Sequence, residues 1–281
     1  MNRGTGEAHE NVARSEMVVT HAEQLYQPST RRGFLKLLGV GGTIVLLPSV
    51  FAACSDDDDD LTGPGGIDAV TINLGSDIGI FNFTFVLEQL EGAFYTAAVA
   101  APAFNSMNED QKETLVDIRN AEVVHREFVR AVLGSNAIGT IRLNESALNT
   151  AISSVGNIFR TAEALEETGV STLNGAGKYL TSAANLGVAG KIVSVEGRHV
   201  AAIRDIREGL GVSGGVAART RFAGDDVVIP SGPFAGLDVK IEAPTALARV
   251  ASTGLLATAI TLVPPAAKPG TPDFPPPLPT P

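Results

Sequence analysis

The sequence predicts an all-α protein: a four-helix bundle with one long crossover connection, followed by an irregular C-terminal extension. Three observations carry that prediction. Four stretches of roughly 25 to 30 residues place apolar side chains at the spacing of a helix face. Two of them carry a Glu and a His three residues apart, Glu122 with His125 and Glu196 with His199. The composition is 44% hydrophobic but only 5% aromatic, without Trp and rich in Ala, which suits closely packed helices better than a β-sandwich.

The totals exclude several classes. A hydrophobic content of 44% is far too high for a disordered chain. The formal net charge of -10 makes nucleic acid an unsuitable partner. The single cysteine, Cys54, rules out an internal disulfide and a thiolate metal cluster.

Residues 1–54 read as a leader. Residues 1–29 are polar and lack an apolar period. Thr30-Arg31-Arg32-Gly33-Phe34-Leu35-Lys36 resembles a twin-arginine export signal, and the apolar run from Leu37 to Ala53 follows it. The run is near the lower length for a membrane span, so an N-terminal anchor is the competing reading. Phe51-Ala52-Ala53-Cys54 resembles a lipoprotein processing box, with Phe51 departing from the usual aliphatic residue. Cys54 is thus the expected lipidation site and membrane attachment; the alternative is a simple cut nearby that leaves a free thiol. The expected location is periplasmic or on the cell surface. Residues 55–74 are an acidic, Gly-rich tether. The run Asp56 to Asp60 repels itself and stays extended, and contiguous Asp without spacing is weak for calcium. The domain itself is expected to begin near Ile67 and the bundle, over 75–210, shortly after.

The first helix is expected from Ile78 to Ala101, with Asp77 as N-cap and Pro102 as its stop. Phe81, Phe85, Leu87, Leu90, Phe94 and Val99 form its apolar stripe, and Glu88 and Glu91 lie among them. Asn108 caps the second helix, Glu109 to Leu133, with Gln111 completing a capping box and Gly134 ending it. Such a helix is about 37 Å long. The ten residues Ser135 to Asn144 cover roughly 33–36 Å when extended. They suffice to return along the bundle, so that the third helix starts beside the second and runs in the same direction.

The third helix is expected from Glu145 to Val170, reaching as far as Leu173, with Glu163, Glu166 and Glu167 on it. Asn174-Gly175-Ala176-Gly177 reads as a break or kink. The fourth is expected from Lys178 to Glu208, with an irregular turn near Gly187 and Gly190. Residues 211–263 are a loop-rich extension in which Ala246 to Leu262 could form a fifth helix. Residues 264–281 are a Pro-rich, extended tail.

Residues three apart on a helix share a face. Each Glu-x-x-His pair can therefore converge on one ion, and four-helix di-metal proteins combine two such pairs with a Glu from each of the other two helices. The run Asn82-Phe83-Thr84-Phe85-Val86-Leu87-Glu88-Gln89-Leu90-Glu91-Gly92-Ala93-Phe94-Tyr95 is similar to the first helix of exported bacterial ferritin-like proteins related to plant desiccation-associated proteins, within the ferritin-like superfamily. Tyr95 follows Glu88 by seven residues, as in ferritins and bacterioferritins. Ala164-Leu165-Glu166-Glu167-Thr168-Gly169-Val170 matches the third helix, with Leu173 where the corresponding Tyr would stand. The resemblance covers about residues 75–208.

It implies six metal ligands: Glu88, Glu122, His125, Glu166, Glu196 and His199. Spacing supports the set, because Glu88 precedes Glu166 by 78 residues and Glu122 precedes Glu196 by 74, as a duplicated helix pair requires. Glu122 and Glu196 are the favoured bridging pair. Glu91 and Glu163 are additional candidates, either as ligands, as in rubrerythrin-like proteins, or as acceptors for an imidazole N–H. Tyr95 is a candidate catalytic residue; its competing role is that of a core residue with a bonded hydroxyl. Arg198 either pairs with a ligand carboxylate or faces solvent.

Oxygen-rich sites with some nitrogen suit Fe or Mn. The expected cofactor is two Fe ions, with Mn as alternative, and the expected co-reactant is O2 or peroxide. The implied function is an exported, ferroxidase-like di-iron protein, or one that handles iron under stress. The alternatives are a non-catalytic ferritin-like protein with a structural or vestigial site, and a manganese catalase-like enzyme. A homo-oligomer is compatible with the sequence, whereas a cage would be crowded by tether, tail and lipid.

Overall fold

The computed structural model describes residues 66–210, 228–229, 231–232 and 235–265. The leader with its paired Arg31 and Arg32, the lipidation candidate Cys54, the acidic run, residues 211–227 and the tail beyond Pro265 lie outside the described residues.

Within them, strand β1 (Ala69–Asn73) leads into α1 (Asp77–Ala100) and α2 (Glu109–Leu133). These are followed by the short α3 (Glu145–Ala151), then α4 (Val155–Ala176), α5 (Ala183–Gly209), α6 (Ala243–Ser252) and strand β2 (Ala259–Val263). The bundle consists of α1, α2, α4 and α5. Helix α2 has the predicted bounds because both its ends are coded locally. Asn108 and Gln111 form a reciprocal capping box, and Gly134 leaves the helix at φ 54°, where a glycine has no Cβ to clash.

Elsewhere the structure corrects the expectations. The N-cap of α1 is Ser76, whose side chain accepts from Gly79 N. Asp77 is the first helical residue, and its carboxylate instead holds the α4–α5 link, accepting from Thr181 N and Oγ1, Ser182 N and Asn185 Nδ2. Partial burial raises the Asp77 pKa, but these bonds outweigh it and hold the group at about 2. The third helix is two, because Ser153 and Asn157 tie up the Thr150 carbonyl and Ser154 caps a fresh start. Helix α4 runs through Asn174 and Gly175 and ends at Ala176, so the expected break falls at Gly177; α5 then starts at Ala183 and passes Gly187 and Gly190 without an irregular turn.

The C-terminal extension departs most. The fifth helix is α6, which stops at Ser252; Gly254, at φ 72°, turns the chain. Residues 259–263 form a strand parallel to β1, with Ala69 opposite Ala259 and Asn73 opposite Val263. Residues 69–74 are therefore part of the fold and not tether, and Ile72 and Leu74 are buried in the core. A two-stranded parallel pair between distant chain segments leaves no local sequence signal beyond β-branched residues.

Helix α1 is buried on all sides from Gly79 to Gly92. Its outer face is covered by the crossover. Asn82 Nδ2 donates to Asn136 O, Asn82 Oδ1 accepts from Ile138 N, and the buried Gln89 Oε1 accepts from Ile141 N. The apolar interior forms two clusters. The larger includes Leu90, Phe94, Leu115, Ile118, Phe159, Leu165 and Ile203; the smaller includes Phe81, Phe85, Val129, Leu133, Leu173, Val188 and Ile192. On α2, α4 and α5 the residues of interest fall between members of the two clusters. Glu122 lies between Ile118 and Val129, Glu166 between Leu165 and Leu173, and Glu196 between Ile192 and Ile203. A charged layer is thus enclosed by apolar packing above and below. No helix among the described residues is long and apolar enough to cross a membrane.

Candidate metal centre

Six side chains from four helices meet in this layer. Glu88 comes from α1, Glu122 and His125 from α2, Glu166 from α4, and Glu196 and His199 from α5. The four carboxylates are at most 2% exposed, and His199 is buried as well. His125 Nδ1 lies 2.9 Å from Glu196 Oε1, 3.4 Å from Glu122 Oε2 and 3.6 Å from Glu88 Oε2. His199 Nδ1 lies 2.8 Å from Glu122 Oε1, 3.2 Å from Glu166 Oε2 and 3.8 Å from Glu196 Oε2. The two imidazole rings are 6.2 Å apart between centroids.

Two donor sets result. One is Glu88, Glu122, His125 and Glu196; the other is Glu122, Glu166, Glu196 and His199. Within each, one donor atom per residue lies within 4.8 Å of all the others. Glu122 and Glu196 belong to both sets, and Glu88 and Glu166 to one each.

The remaining candidates separate. Glu91, on α1, is buried beside the layer, with its Oε1 against Gly169 of α4, where an added Cβ would stand 3.3 Å away. A side chain at 169 would crowd that carboxylate. Glu163 belongs to neither set: it is turned to Arg207 of α5, with which it forms an ion pair. Glu167 likewise pairs with Arg204. Arg198 faces solvent. The Tyr95 hydroxyl donates to Glu166 Oε1 at 2.6 Å. Tyr95 thus belongs to the half opposite its own helix neighbour Glu88, a link that counting along one helix does not reveal.

The charge balance is unusual. Five buried carboxylates (Glu91 included) face two imidazoles. Burial, and then repulsion from neighbouring carboxylates, pushes Glu88, Glu91 and Glu166 well above the usual carboxylate range. Burial acts the same way on Glu196, but its contacts with His125 and His199 outweigh it and hold that group below its ordinary value. Burial disfavours the charged imidazoles, yet contact with Glu122 and Glu196 raises His125 to about 9. Contact with Glu122, Glu166 and Glu196 raises His199 to about 12. Burial and the neighbouring Glu166 raise Tyr95. Even so, both oxygens of Glu122 and of Glu196, Glu88 Oε2 and His125 Nδ1 make no well-directed hydrogen bond. Buried polar atoms of that kind are costly unless something else satisfies them. Divalent cations fit this donor set: they would neutralise the carboxylates and satisfy the orphaned atoms.

The metal-free protein should consequently lose stability as pH rises. The folded-state pKa values of His125 and His199 lie above the ordinary 6.5, so their contribution is complete below pH 6.5 and disappears through about 9 and beyond. Glu88, Glu91 and Glu166 act in the same sense, because folding favours their neutral forms. Thermal melts of chelator-treated protein are expected to show a falling Tm between pH 6.5 and 9, and metal-loaded protein a flatter profile. A Tm of the chelated protein that rises over this interval would contradict the electrostatics described here.

Compared with known proteins, residues 76–209 match the family model of the ferritin-like domain. No curated protein matches the sequence as a relative. The match covers the four bundle helices and all six residues of the two donor sets, and it leaves out β1, α6 and β2. The helical core of this chain, residues 76–209, is thus similar to the ferritin-like domain, and its all-α bundle is consistent with that fold.

Proposed function

We propose that the domain holds two iron ions between α1, α2, α4 and α5 and couples oxidation of Fe(II) to reduction of O2 or peroxide. The observation that carries this reading is the pair of overlapping donor sets that share Glu122 and Glu196. His125 with Glu88 completes one position, and His199 with Glu166 the other. Four carboxylates and two imidazoles suit Fe or Mn. Bound iron would supply the electrons for the oxidant.

The protein's own groups have distinct tasks. Glu122 and Glu196 tie the two positions together. Tyr95 holds the Glu166 carboxylate through its hydroxyl and fixes which oxygen is left for the ion. Reduction of peroxide to water consumes protons, and Glu91 Oε1, buried beside the layer in a group that favours its neutral form, is placed to hold one. The apolar clusters on either side limit access of water to the layer.

We further propose export by the twin-arginine route and lipid attachment at Cys54, on the strength of Arg31-Arg32-Gly33-Phe34-Leu35-Lys36 and Ala52-Ala53-Cys54. A fatty-acid label incorporated by the full chain and lost in Cys54→Ser checks the anchor.

The function is checked on purified residues 55–281 by metal analysis and by the absorbance of Fe(III) formed from added Fe(II). The expected result is two Fe per chain and oxidation well above the spontaneous rate. Manganese together with O2 release from peroxide would move the assignment to peroxide disproportionation. Absence of bound metal after loading would remove the catalytic reading and leave a structural one.

A further inference from the structure

Strand β2 is paired on one side only. Among the described residues β1 is its single strand neighbour. The ladder between them starts with Ala259 N donating to Asp68 O and ends with Leu74 N donating to Val263 O. In a parallel ladder, alternate residues of a strand turn their backbone groups to the same neighbour. Ala259, Thr261 and Val263 therefore bond β1, and Ile260 and Leu262 direct their N–H and C=O groups to the opposite edge. No backbone group among the described residues bonds those four. Ala259, Thr261 and Val263 are exposed, and Ile260 and Leu262 are half-buried.

An open edge accepts another strand, and proteins commonly blunt such edges with Lys, an inward charge, a bulge or a Pro. Strand β2 carries none of these devices. It pairs with β1 residue for residue, without a bulge. No charged residue stands between Arg249 and Lys268, and Pro264 and Pro265 come only after the strand. The chain's own tail is ill suited to cover the edge. Beyond Pro265 no more than three residues separate one Pro from the next, and Pro cannot donate to a ladder.

We infer that β2 pairs antiparallel with β2 of a second copy, about a two-fold axis through Thr261, so that the two sheets join in the order β1-β2-β2-β1. A two-fold contact must be self-complementary, and this strand is. With Thr261 opposite Thr261, Ile260 of each copy stands opposite Leu262 of the other, and all the free N–H and C=O groups of these residues find partners. The apolar side chains of Ile260 and Leu262 fall on one face of the joined sheet. The neutral run brings no like charges together, which is the usual obstacle to pairing a strand with itself. The contact uses none of the metal-binding residues and does not depend on the proposed chemistry.

Disulfide trapping in the full chain, with Cys54→Ser to remove the native thiol, reads this register. The two residues at 261 form a non-hydrogen-bonded pair, about 4.5 Å apart between Cα atoms, within the range a disulfide spans. The two residues at 259 are four strand positions apart, about 13 Å, which is out of reach. Under mild oxidation Thr261→Cys is expected to form the linked dimer about tenfold faster than Ala259→Cys, because pairing holds the two thiols at a high effective concentration. Hydrogen exchange supplies a second readout without cysteine. The Ile260 and Leu262 amides should be protected at high protein concentration and lose that protection on dilution. Thr261→Lys places two ammonium groups opposite each other. It should abolish the protection at every concentration and leave Tm unchanged, since the side chain is exposed and the backbone bonds to β1 remain. Equal trapping at 259 and 261, no trapping at 261, or exchange of Ile260 and Leu262 that ignores both dilution and Thr261→Lys would each overturn the pairing.

Discussion

Glu122→Ala and Glu196→Ala are each expected to remove both metal ions, whereas Glu88→Ala and Glu166→Ala should each leave one. The reason is membership: Glu122 and Glu196 contribute to both donor sets, and Glu88 and Glu166 to one. Even groups that only orient a ligand cost about 10–100-fold in metal affinity when lost. Loss of a direct carboxylate donor should therefore exceed about 100-fold at each position it serves. The carboxylates that remain still repel one another, which discourages rearrangement around a single ion. Metal content after equilibrium dialysis reads the difference directly: near zero for the two shared residues, near one ion per chain for the others. Equal retention by Glu122→Ala and Glu88→Ala would refute the shared-ligand arrangement.

Gly175→Ala should destabilise the protein by several kcal/mol, while Gly187→Ala and Gly190→Ala should each stabilise it by about 0.5–1 kcal/mol. All three glycines are inside helices, and helix propensity alone predicts the same small gain for each. Packing decides otherwise. A Cβ on Gly175 would stand 1.9 Å from the backbone oxygen of Ile241, and nothing lies within 4 Å of one at Gly187 or Gly190. The segment beside Gly175 cannot simply step aside, because Ile241 N donates to Ser171 O and Asn174 Nδ2 donates to Val239 O. Undocking it would also expose Ile241 and the α6 core residues Ala246 and Val250. A domain of this size shifts Tm by roughly 2–4 °C per kcal/mol. The opposed signs are thus within reach of a thermal melt. A Gly175→Ala protein as stable as wild type would mean that the helix and the 239–242 segment are not packed as described.

These glycines also mark the limit of the sequence reading. Gly175 suggested a kink, since glycine is a poor helix former. Its actual use is the close approach of an irregular segment 66 positions further along the chain. Gly187 and Gly190 suggested irregularity for the same reason, yet tertiary burial of Val188, Ala189 and Ile192 carries α5 through them. The α3–α4 interruption was missed because Ser153 and Ser154 act through side-chain bonds that apolar periodicity does not record.

The sequence by itself determined the all-α class, the span of α2, the need for an extended crossover, and the Glu-x-x-His pairs. Each of these follows from contacts within a few residues: caps, helical period and side chains one turn apart. Only the tertiary structure decided the rest. It turned Glu163 to Arg207 and brought Glu91 to Gly169. It joined Tyr95 to Glu166 and used residues 69–73 and 259–263 as paired strands instead of tether and helix. Those outcomes depend on groups 44 to 190 positions apart, and a chain read in order contains no local energy term that couples them.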